Sequence, residues 1–215
     1  SLGVLGPTGS GKSTLVQLVP RFYDPVRGRV LLDGIDVQEL DLEELRAAVG
    51  LVFQEPFLFS GTVHDNVAYG RPSVDRAEVE RCTRLAAAHD FVSELPPAYE
   101  TIVGERGVSL SGGQRQRLTI ARALAMDPRV LIFDDATASV DAVTEKRLFD
   151  GIRAAARGRT TLVISQRVTS VKWCDRIAVL EEGVVTAVGT HQELLATSEL
   201  YREIQSHQEL TGVMP

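Results

Sequence analysis

The segment at residues 6–13 restricts the possible folds of this chain more than any other feature. It consists of Gly-Pro-Thr-Gly-Ser-Gly-Lys-Ser, which matches in full the phosphate-binding pattern G-x-x-x-x-G-K-[ST]. Apolar residues at positions 2–5 precede it and Thr-Leu-Val at positions 14–16 follow it, so the segment connects a predicted strand to a predicted helix. A glycine turn with a purely structural purpose does not require Lys and then Ser at this spacing. The sequence therefore predicts a phosphate-binding loop at the start of a helix.

The residue types in this loop suit the binding of phosphate groups. Its glycines let backbone N–H groups close on phosphate oxygens, and the start of the helix adds positive potential. Lys12 supplies a charge for the β- and γ-phosphates, and the Ser13 hydroxyl can ligate Mg²⁺. The predicted nucleotide-binding residues of the loop are Gly6, Pro7, Thr8, Gly9, Ser10, Gly11, Lys12, Ser13 and Thr14.

Composition and charge exclude several other classes of protein. The 215 residues are 44% hydrophobic and 24% charged, which is typical of a globular domain. No apolar stretch approaches the ~20 residues needed to cross a bilayer, and the net charge of −6 gives no basic surface for a nucleic acid partner. Cys82 and Cys174 are isolated in the sequence, so we interpret them as small buried hydrophobic residues in a reducing compartment. Because the chain starts inside a predicted strand without Met, we expect a fragment.

Short apolar runs alternate with helical segments along most of the chain. Runs without polar alternation are typical of strands that are buried on both faces of a parallel sheet. An Asp-Gly turn at residues 33–34 and a Glu-Gly turn at 182–183 predict a smaller antiparallel portion. The expected fold class is α/β, a P-loop NTPase fold with a mainly parallel sheet flanked by helices, an inserted helical subdomain and a small antiparallel β portion. The apolar runs lie at residues 49–53, 130–133, 161–164 and 177–180.

The pattern becomes mostly helical between residues 56 and 126. Ser73 can cap the first long helix of this part, and a capping-box pattern at residues 190–193 predicts a closing amphipathic helix. We expect residues 1–55 and 127–215 to form the P-loop core. Residues 56–126 then form the helical subdomain.

Polar side chains follow three of the predicted strands. Asp134 and Asp135 end one run, and Gln54 and Gln166 follow two others. The carboxyl ends of strands in open α/β sheets face bound ligands, so Asp134 can hold Mg²⁺, directly or through water, opposite Ser13. Asp134 can alternatively cap a helix, and each Gln can be an ordinary loop amide. With the phosphate loop in the same chain, we favour contacts of both Gln side chains with a metal or a γ-phosphate, and the predicted metal ligands are Ser13, Gln54 and Asp134.

Residues 110–114, Leu-Ser-Gly-Gly-Gln, precede a predicted helix at residues 115–125. Alone, they are a capped helix start. Together with the loop at residues 6–13 they predict a second anion site, which a single phosphate loop cannot use from the same face. Its residues are Ser111, Gly112, Gly113 and Gln114.

These motifs together resemble the nucleotide-binding domain of an ATP-binding cassette (ABC) transporter of the exporter type. The resemblance covers nearly all 215 residues. It also implies that the N-terminal β segment of the core, with the aromatic residue that stacks on adenine, precedes Ser1. The segments at 22–25, 58–62 and 103–107 are similar to segments of exporters, the last being the X-loop. The other matching motifs are Walker A (6–13), the Q-loop Gln54, the signature (110–114), Walker B (130–134) and the D-loop (139–141).

The resemblance implies ATP and Mg²⁺ as cofactors and a second nucleotide-binding domain as partner. In a head-to-tail dimer, each ATP lies between the Walker A motif of one domain and the signature of the other. Closure around ATP drives attached membrane helices, so the resemblance also implies a transmembrane domain, in the same full-length chain, and a location at the cytoplasmic face of the membrane. Gln54 transmits the motion. Asp141 lies at the dimer seam or caps the helix that follows it, and the two roles are compatible.

Two positions depart from the family pattern. Asp135 replaces the Glu that polarises the attacking water, and Gln166 replaces the His of the switch position. A side chain shorter by one methylene withdraws the carboxylate by ~1.5 Å, and a misplacement of this size can cost on the order of 100-fold in rate. The residues expected in catalysis are Asp135, Gln166 and Gln54, at a site that binds ATP and hydrolyses it slowly.

This pair of changes resembles the degenerate half of heterodimeric exporters, whose intact signature completes the catalytic site of a non-identical partner. Two alternatives remain open. One is a homodimeric exporter with two slow sites. The other is a nucleotide switch without transport, of the kind found in DNA repair or translation, although such proteins usually contain long coiled-coil insertions or two cassettes.

Overall fold

The structure is a computed structural model that describes residues 1–104, 108–137 and 139–210. The chain forms two compact units. The first unit contains residues 1–49, 132–135 and 160–215, and the second unit contains residues 50–131 and 136–159. The division that we predicted from the sequence, with boundaries near residues 55 and 127, stays a prediction. Residues 105–107 of the predicted X-loop lie outside the described residues.

Strands and helices alternate through most of the described chain. The strands are β1 (Leu2–Leu5), β2 (Leu31–Leu32), β3 (Ile35–Asp36), β4 (Val49–Val52), β5 (Gly61–Thr62), β6 (Ile102–Val103), β7 (Val130–Asp134), β8 (Thr160–Ser165), β9 (Arg176–Glu181) and β10 (Val184–Gly189). The helices are α1 (Lys12–Gln17), α2 (Leu42–Ala47), α3 (Val63–Ala68), α4 (Arg76–Leu85), α5 (His89–Glu94), α6 (Gly112–Ala125), α7 (Ala142–Ala156), α8 (Val168–Val171), α9 (His191–Thr197) and α10 (Glu199–Leu210), with a 3₁₀ turn at Ala98–Glu100.

The largest sheet has the strand order β10-β9-β1-β8-β7-β4. Strand β1 pairs in parallel with both β8 and β9, and only the hairpin strand β10 runs antiparallel to its neighbour β9 in the pairings described. All five residues of β7 are buried, as expected for an apolar run without alternation. The predicted α/β fold with a mainly parallel sheet and flanking helices is therefore confirmed. The small antiparallel pair β2-β3 turns at residues 33–34, where the Asp-Gly turn was predicted.

Helices α3, α4, α6 and α7 of the second unit begin at polar caps, whereas α5 begins after Ala88 without a side-chain cap. Helix α4 begins after Asp75, whose carboxylate accepts a hydrogen bond from the backbone N–H of Glu78 at 2.8 Å. The prediction that Ser73 caps this helix was wrong, because Asp75 offers a carboxylate three residues before Glu78 and the chain still turns at Ser73. Helix α6 contacts α3 and α4 and buries the apolar side that the sequence indicated, including Leu118, Ile120 and Leu124.

The closing helices of the first unit follow the predicted pattern. Thr190 and Glu193 form a complete capping box at the start of α9, as predicted, and each satisfies a backbone N–H group that the helix leaves without a partner. Helix α10 follows at once, with Tyr201 fully buried. Among the described residues, no helix is both long and apolar enough to span a bilayer.

Candidate nucleotide-binding site

The phosphate loop connects the buried strand β1 to helix α1 in the first unit. A Cβ atom at Gly6 would overlap the carbonyl oxygen of Leu180, so only glycine lets the loop lie this close to β9. Gly11 caps α1 with a φ of 93° and without a side-chain cap, a conformation that glycine adopts readily. The backbone N–H of Gly183, in the β9–β10 turn, donates to the carbonyl oxygen of Ser10 at 3.1 Å. The loop is thus held in place while the start of α1 has no side-chain partner.

The ammonium group of Lys12 lies inside this loop. Its Nζ atom donates to the carbonyl oxygens of Gly6 at 2.9 Å and Pro7 at 2.7 Å. Burial lowers the pKa of Lys12, and the nearby Asp135 and Asp134 carboxylates oppose that shift. A buried cation whose present partners are mainly carbonyl oxygens is well matched to an anionic phosphate.

Ser13 and Asp134 form a pair of hard oxygen donors beside the loop. Ser13 Oγ donates to Asp134 Oδ1 at 3.1 Å, and Asp134 is only 5% exposed. Burial raises the pKa of Asp134, as does the Asp135 carboxylate, while the Ser13 hydrogen bond and Lys12 lower it. Adjacent ligands of an octahedral Mg²⁺ lie about 2.9 Å apart, so the spacing and chemistry of this pair fit that ion. A bound divalent cation would also favour the ionised form of Asp134.

Asp135 follows β7 in a backbone conformation that few residue types adopt. Its φ is 45°, in the left-handed region where Asp is enriched over most side chains. Its backbone N–H donates to the carbonyl oxygen of Ile164 at 2.9 Å, and its Oδ1 accepts from Ser165 Oγ at 2.8 Å. We did not assign a role to Ser165 from the sequence. The order of the strands accounts for the contact, because β8 neighbours β7 and Ser165 ends β8.

Gln166 extends from the end of β8 toward the phosphate loop. Thr8 Oγ1 donates to Gln166 Oε1 at 3.0 Å. Gln208 of α10 contacts the segment that follows β8, since its Nε2 donates to the carbonyl oxygen of Gln166 at 2.7 Å and its Oε1 accepts from the backbone N–H of Val168 at 3.0 Å. No sequence signal indicated Gln208, which lies on a polar helix 42 positions after Gln166.

The remaining predicted site residues belong to the second unit. Gln54 is exposed in the loop after β4. Ser111 and Gln114 form a capping box at the start of α6, with Ser111 Oγ accepting from Gln114 N at 3.2 Å and Gln114 Oε1 accepting from Ser111 N at 2.9 Å. Gly112 and Gly113 are the first residues of α6, where backbone N–H groups have no intrahelical acceptor.

Asp141 caps helix α7 in the second unit. Its carboxylate accepts from the backbone N–H of Thr144 at 3.0 Å, and this hydrogen bond is the main reason that the pKa of Asp141 is lowered. The capping role that we considered is thus present. A role at a dimer seam stays a prediction.

Comparison with known proteins gives the family of this chain. The family model described as ABC transporter matches residues 1–138. The chain belongs to the ABC transporter family. It is the ATPase domain of such a protein, and its membership agrees with the phosphate loop, the Ser13–Asp134 pair and the helix start at Gly112.

Several ABC transporters are similar to nearly the whole chain. The ATP-dependent lipid A-core flippase of Chromohalobacter salexigens is 47% identical over 207 residues, which cover 96% of this chain and 36% of the flippase. ABC transporter B family member 19 of Arabidopsis thaliana is 46% identical over 212 residues, which cover 99% of this chain and 17% of that protein. A solved structure of a bacterial Atm1-family ABC exporter with ATP bound superposes with a TM-score of 0.91 at 44% identity, and it covers 96% of this chain. The chain thus spans 36% of that exporter, 36% of the flippase and 17% of ABC transporter B family member 19.

The two units divide the ABC motifs between them. The Walker A loop, the Walker B residue Asp134, Asp135 and Gln166 lie together in the first unit, and the Q-loop Gln54 and the signature lie in the second. Within the first unit, hydrogen bonds connect Ser13 to Asp134, Ser165 to Asp135, and Thr8 to Gln166. Two of these hydrogen bonds join Asp134 and Gln166 to the Walker A loop, and the third joins Asp135 to the end of β8.

Proposed function

We propose that this chain is the ATP-binding domain of an exporter in which transmembrane helices belong to the same full-length protein. The exporter-type relatives support this proposal. The matches cover nearly all of this chain but only about a third or less of each relative. One of them is described as a flippase and another as an exporter with ATP bound. The domain then lies at the cytoplasmic face of a membrane.

In this proposal, residues 6–14 hold the phosphates of ATP. Lys12 gives up part of its contact with the loop carbonyls to bind a phosphate, and Ser13 and Asp134 would hold Mg²⁺ directly or through water. Gln54, in the second unit, stays a predicted ligand of that ion. The ion, when bound, neutralises charge on the phosphates. Gln166 contacts the γ-phosphate from the position that it now occupies beside Thr8.

The observation that carries the proposal is the contrast between two neighbouring carboxylates. Asp134 lies 3.1 Å from Ser13 with the chemistry of a metal site, whereas Asp135 is one methylene shorter than Glu and already accepts a hydrogen bond from Ser165. A general base works only within about 2.6–3.2 Å of the proton it removes, directly or through a water. We propose that this site binds ATP well and hydrolyses it slowly.

In this proposal, the signature contacts the ATP that the partner domain binds. The N–H groups near Gly112 and Gly113 and the Ser111 hydroxyl complete the site of a second, non-identical nucleotide-binding domain in a head-to-tail dimer. That partner domain supplies most of the turnover. The intact helix start at Ser111, with its complete capping box, supports this division.

The test compares two substitutions in the assembled full-length transporter. Gly112→Asp introduces a side chain and a negative charge where the partner's phosphate approaches, so we expect most ATPase and transport activity in reconstituted vesicles to be lost. Asp135→Asn alters a site that turns over slowly, and total turnover should change little. A Cβ atom at Gly112 would lie 3.6 Å from the nearest described atom, Ser139 Cβ, so Gly112→Ala fits the fold and serves as the control.

The opposite ranking would overturn the proposal. If Asp135→Asn disables the transporter and Gly112→Asp does not, this chain contains the productive site. If both substitutions disable it in a protein assembled from two identical chains, the homodimeric alternative is correct. Vesicles that show ATPase activity but move no substrate in any variant would favour a nucleotide switch.

A further inference from the structure

We infer that Gln208 is a positioning residue that holds the backbone of residues 166–168, named here the switch loop. The inference rests on the proposed function, in which Gln166 of this loop contacts the γ-phosphate. Gln208 lies on α10, the last helix of the described chain. It acts through Gln166 and does not itself belong to the phosphate-binding residues.

Two hydrogen bonds join the Gln208 side chain to the switch loop. Nε2 donates to the carbonyl oxygen of Gln166 at 2.7 Å, and Oε1 accepts from the backbone N–H of Val168 at 3.0 Å. One amide thus binds two peptide groups that are two positions apart. Val168 is the first residue of α8, where backbone N–H groups have no intrahelical acceptor, so Gln208 supplies an acceptor that the short helix cannot provide.

Helix α10 is anchored well before it reaches the switch loop. Tyr201 is 0% exposed, and its hydroxyl lies 2.7 Å from His191 Nδ1. Gln208 follows Tyr201 by seven positions, which is close to two helical turns, so both side chains lie on the same face of α10. The face that Tyr201 fixes in the first unit therefore directs Gln208 to the switch loop.

From the switch loop the contact continues to the phosphate loop. Gln166 is exposed, and its side chain meets Thr8 through a single hydrogen bond of 3.0 Å. An exposed Gln loses considerable rotamer freedom when it is held at a ligand. Because Gln208 fixes the backbone from which this side chain extends, less freedom remains to be lost when Gln166 binds a phosphate.

The first test measures whether Gln208 holds the switch loop. Gln208→Ala removes both hydrogen bonds, so amides of residues 166–171 should exchange with solvent about two- to tenfold faster in the full-length protein. Gln205→Ala is the matched control, because Gln205 Nε2 donates to Glu209 Oε1 on the same helix at 2.9 Å and not to the switch loop. The control should leave exchange at residues 166–171 unchanged.

The second test separates positioning from general stability. ATP and ADP affinities of this chain's site are measured in the assembled transporter with the opposing Walker site disabled. Gln208→Ala should weaken ATP about two- to tenfold and leave ADP unchanged, since ADP lacks the phosphate that Gln166 contacts. Gln208→Glu keeps an acceptor for Val168 N–H but places a carboxylate oxygen, in place of the donor, against the Gln166 carbonyl oxygen. It should therefore slow the exchange of the Val168 amide relative to Gln208→Ala without restoring the ATP preference.

Each outcome has a separate meaning. Equal losses for ATP and ADP in Gln208→Ala would show a merely structural role and overturn the inference, as would unchanged exchange at residues 166–171. A Gln166→Ala variant that keeps the wild-type ratio of ATP to ADP affinity would refute the γ-phosphate contact of the proposed function and, with it, the effect of Gln208 on nucleotide preference. The exchange measurement would still decide whether Gln208 holds the loop.

Discussion

The starts of helices α1 and α6 are both rich in glycine, but only the start of α6 is capped by side chains of this chain. Both begin with glycine-rich segments whose first backbone N–H groups face outward from the helix. At α6 the side chains of Ser111 and Gln114 satisfy the helix start from within the chain. At α1 the cap is Gly11, with no side-chain hydrogen bond, and the positive group in the loop, Lys12, rests on carbonyl oxygens.

The two helix starts therefore differ in how far they depend on a ligand. Helix α6 is complete by itself, so in the proposed dimer its signature needs no rearrangement to meet the partner's nucleotide. Helix α1 is short, with six residues, and a phosphate at its start would supply the capping that no side chain gives. In the proposed function, the nucleotide of this chain therefore also stabilises the start of α1. Three experiments test whether the two helix starts differ in this way.

The largest effect is expected from restoring the chemistry beside α1. Asp135→Glu together with Gln166→His should raise single-turnover hydrolysis at this site by up to ~10²–10⁴-fold, which is the range of a well-placed proton-transfer group. ATP affinity should change little, because the phosphate loop is untouched and a His at position 166 can also contact the γ-phosphate. The measurement uses the assembled complex with the partner's site disabled.

A double variant that hydrolyses ATP no faster than the wild type would show that another feature limits the rate. Because Glu tolerates the positive φ at position 135 less well than Asp, thermal unfolding of the variant is measured alongside. A matched control is Ser165→Ala in the otherwise unchanged chain, which releases the hydrogen bond to Asp135 without changing the residue at position 135.

The next largest effect concerns the cation inside the α1 loop. Lys12→Ala removes a charge-assisted contact of about 1.5–3 kcal/mol, so ATP should bind roughly 10- to 150-fold more weakly. Calorimetry on the full-length protein measures the change. Lys172→Ala, at an exposed position of the same unit, is the control and should bind ATP normally. Wild-type affinity in the Lys12 variant would contradict the assignment of this loop.

The smallest effect tests the internal cap of α6. Ser111→Ala should lower the free energy of unfolding by about 1 kcal/mol, whereas Ser111→Gly should cost only a few tenths. Chemical denaturation followed by circular dichroism gives both values. If Ser111→Ala is as stable as the wild type, the hydroxyl does not complete this helix start. If both lose ATPase activity while only the Ala variant loses stability, the hydroxyl acts on the nucleotide as well.

Local patterns were sufficient to predict much of the fold. The apolar runs became buried strands such as β7, and the capping box at Thr190 began a helix as expected. Hydrophobic periodicity and capping operate over a few residues, so a single sequence contains them. The choice between Ser73 and Asp75 failed because both residue types favour caps, and only the three-dimensional turn decided between them.

The support of the candidate site was harder to predict. Lys12, Ser13 and Asp134 follow from motifs whose spacing reflects their chemistry. Ser165 required the order of the strands, since it reaches Asp135 from a neighbouring strand. Gln208 reaches the switch loop across 42 positions, and a polar residue on a surface helix gives no sign of such a contact. Tertiary hydrogen bonds of this kind depend on packing that local patterns do not encode.

Because seven residues separate Tyr201 from Gln208, the direction of the Gln208 side chain depends on the number of residues between them. One residue inserted between them would rotate Gln208 by about 100° around the helix axis and direct its amide away from residues 166–168. Seven added residues would restore the direction but displace the amide along the axis by about 10 Å. The contact with the switch loop therefore depends on the position of Gln208 along α10 as much as on its identity. A helix that ended one turn earlier would leave the Val168 N–H without this acceptor.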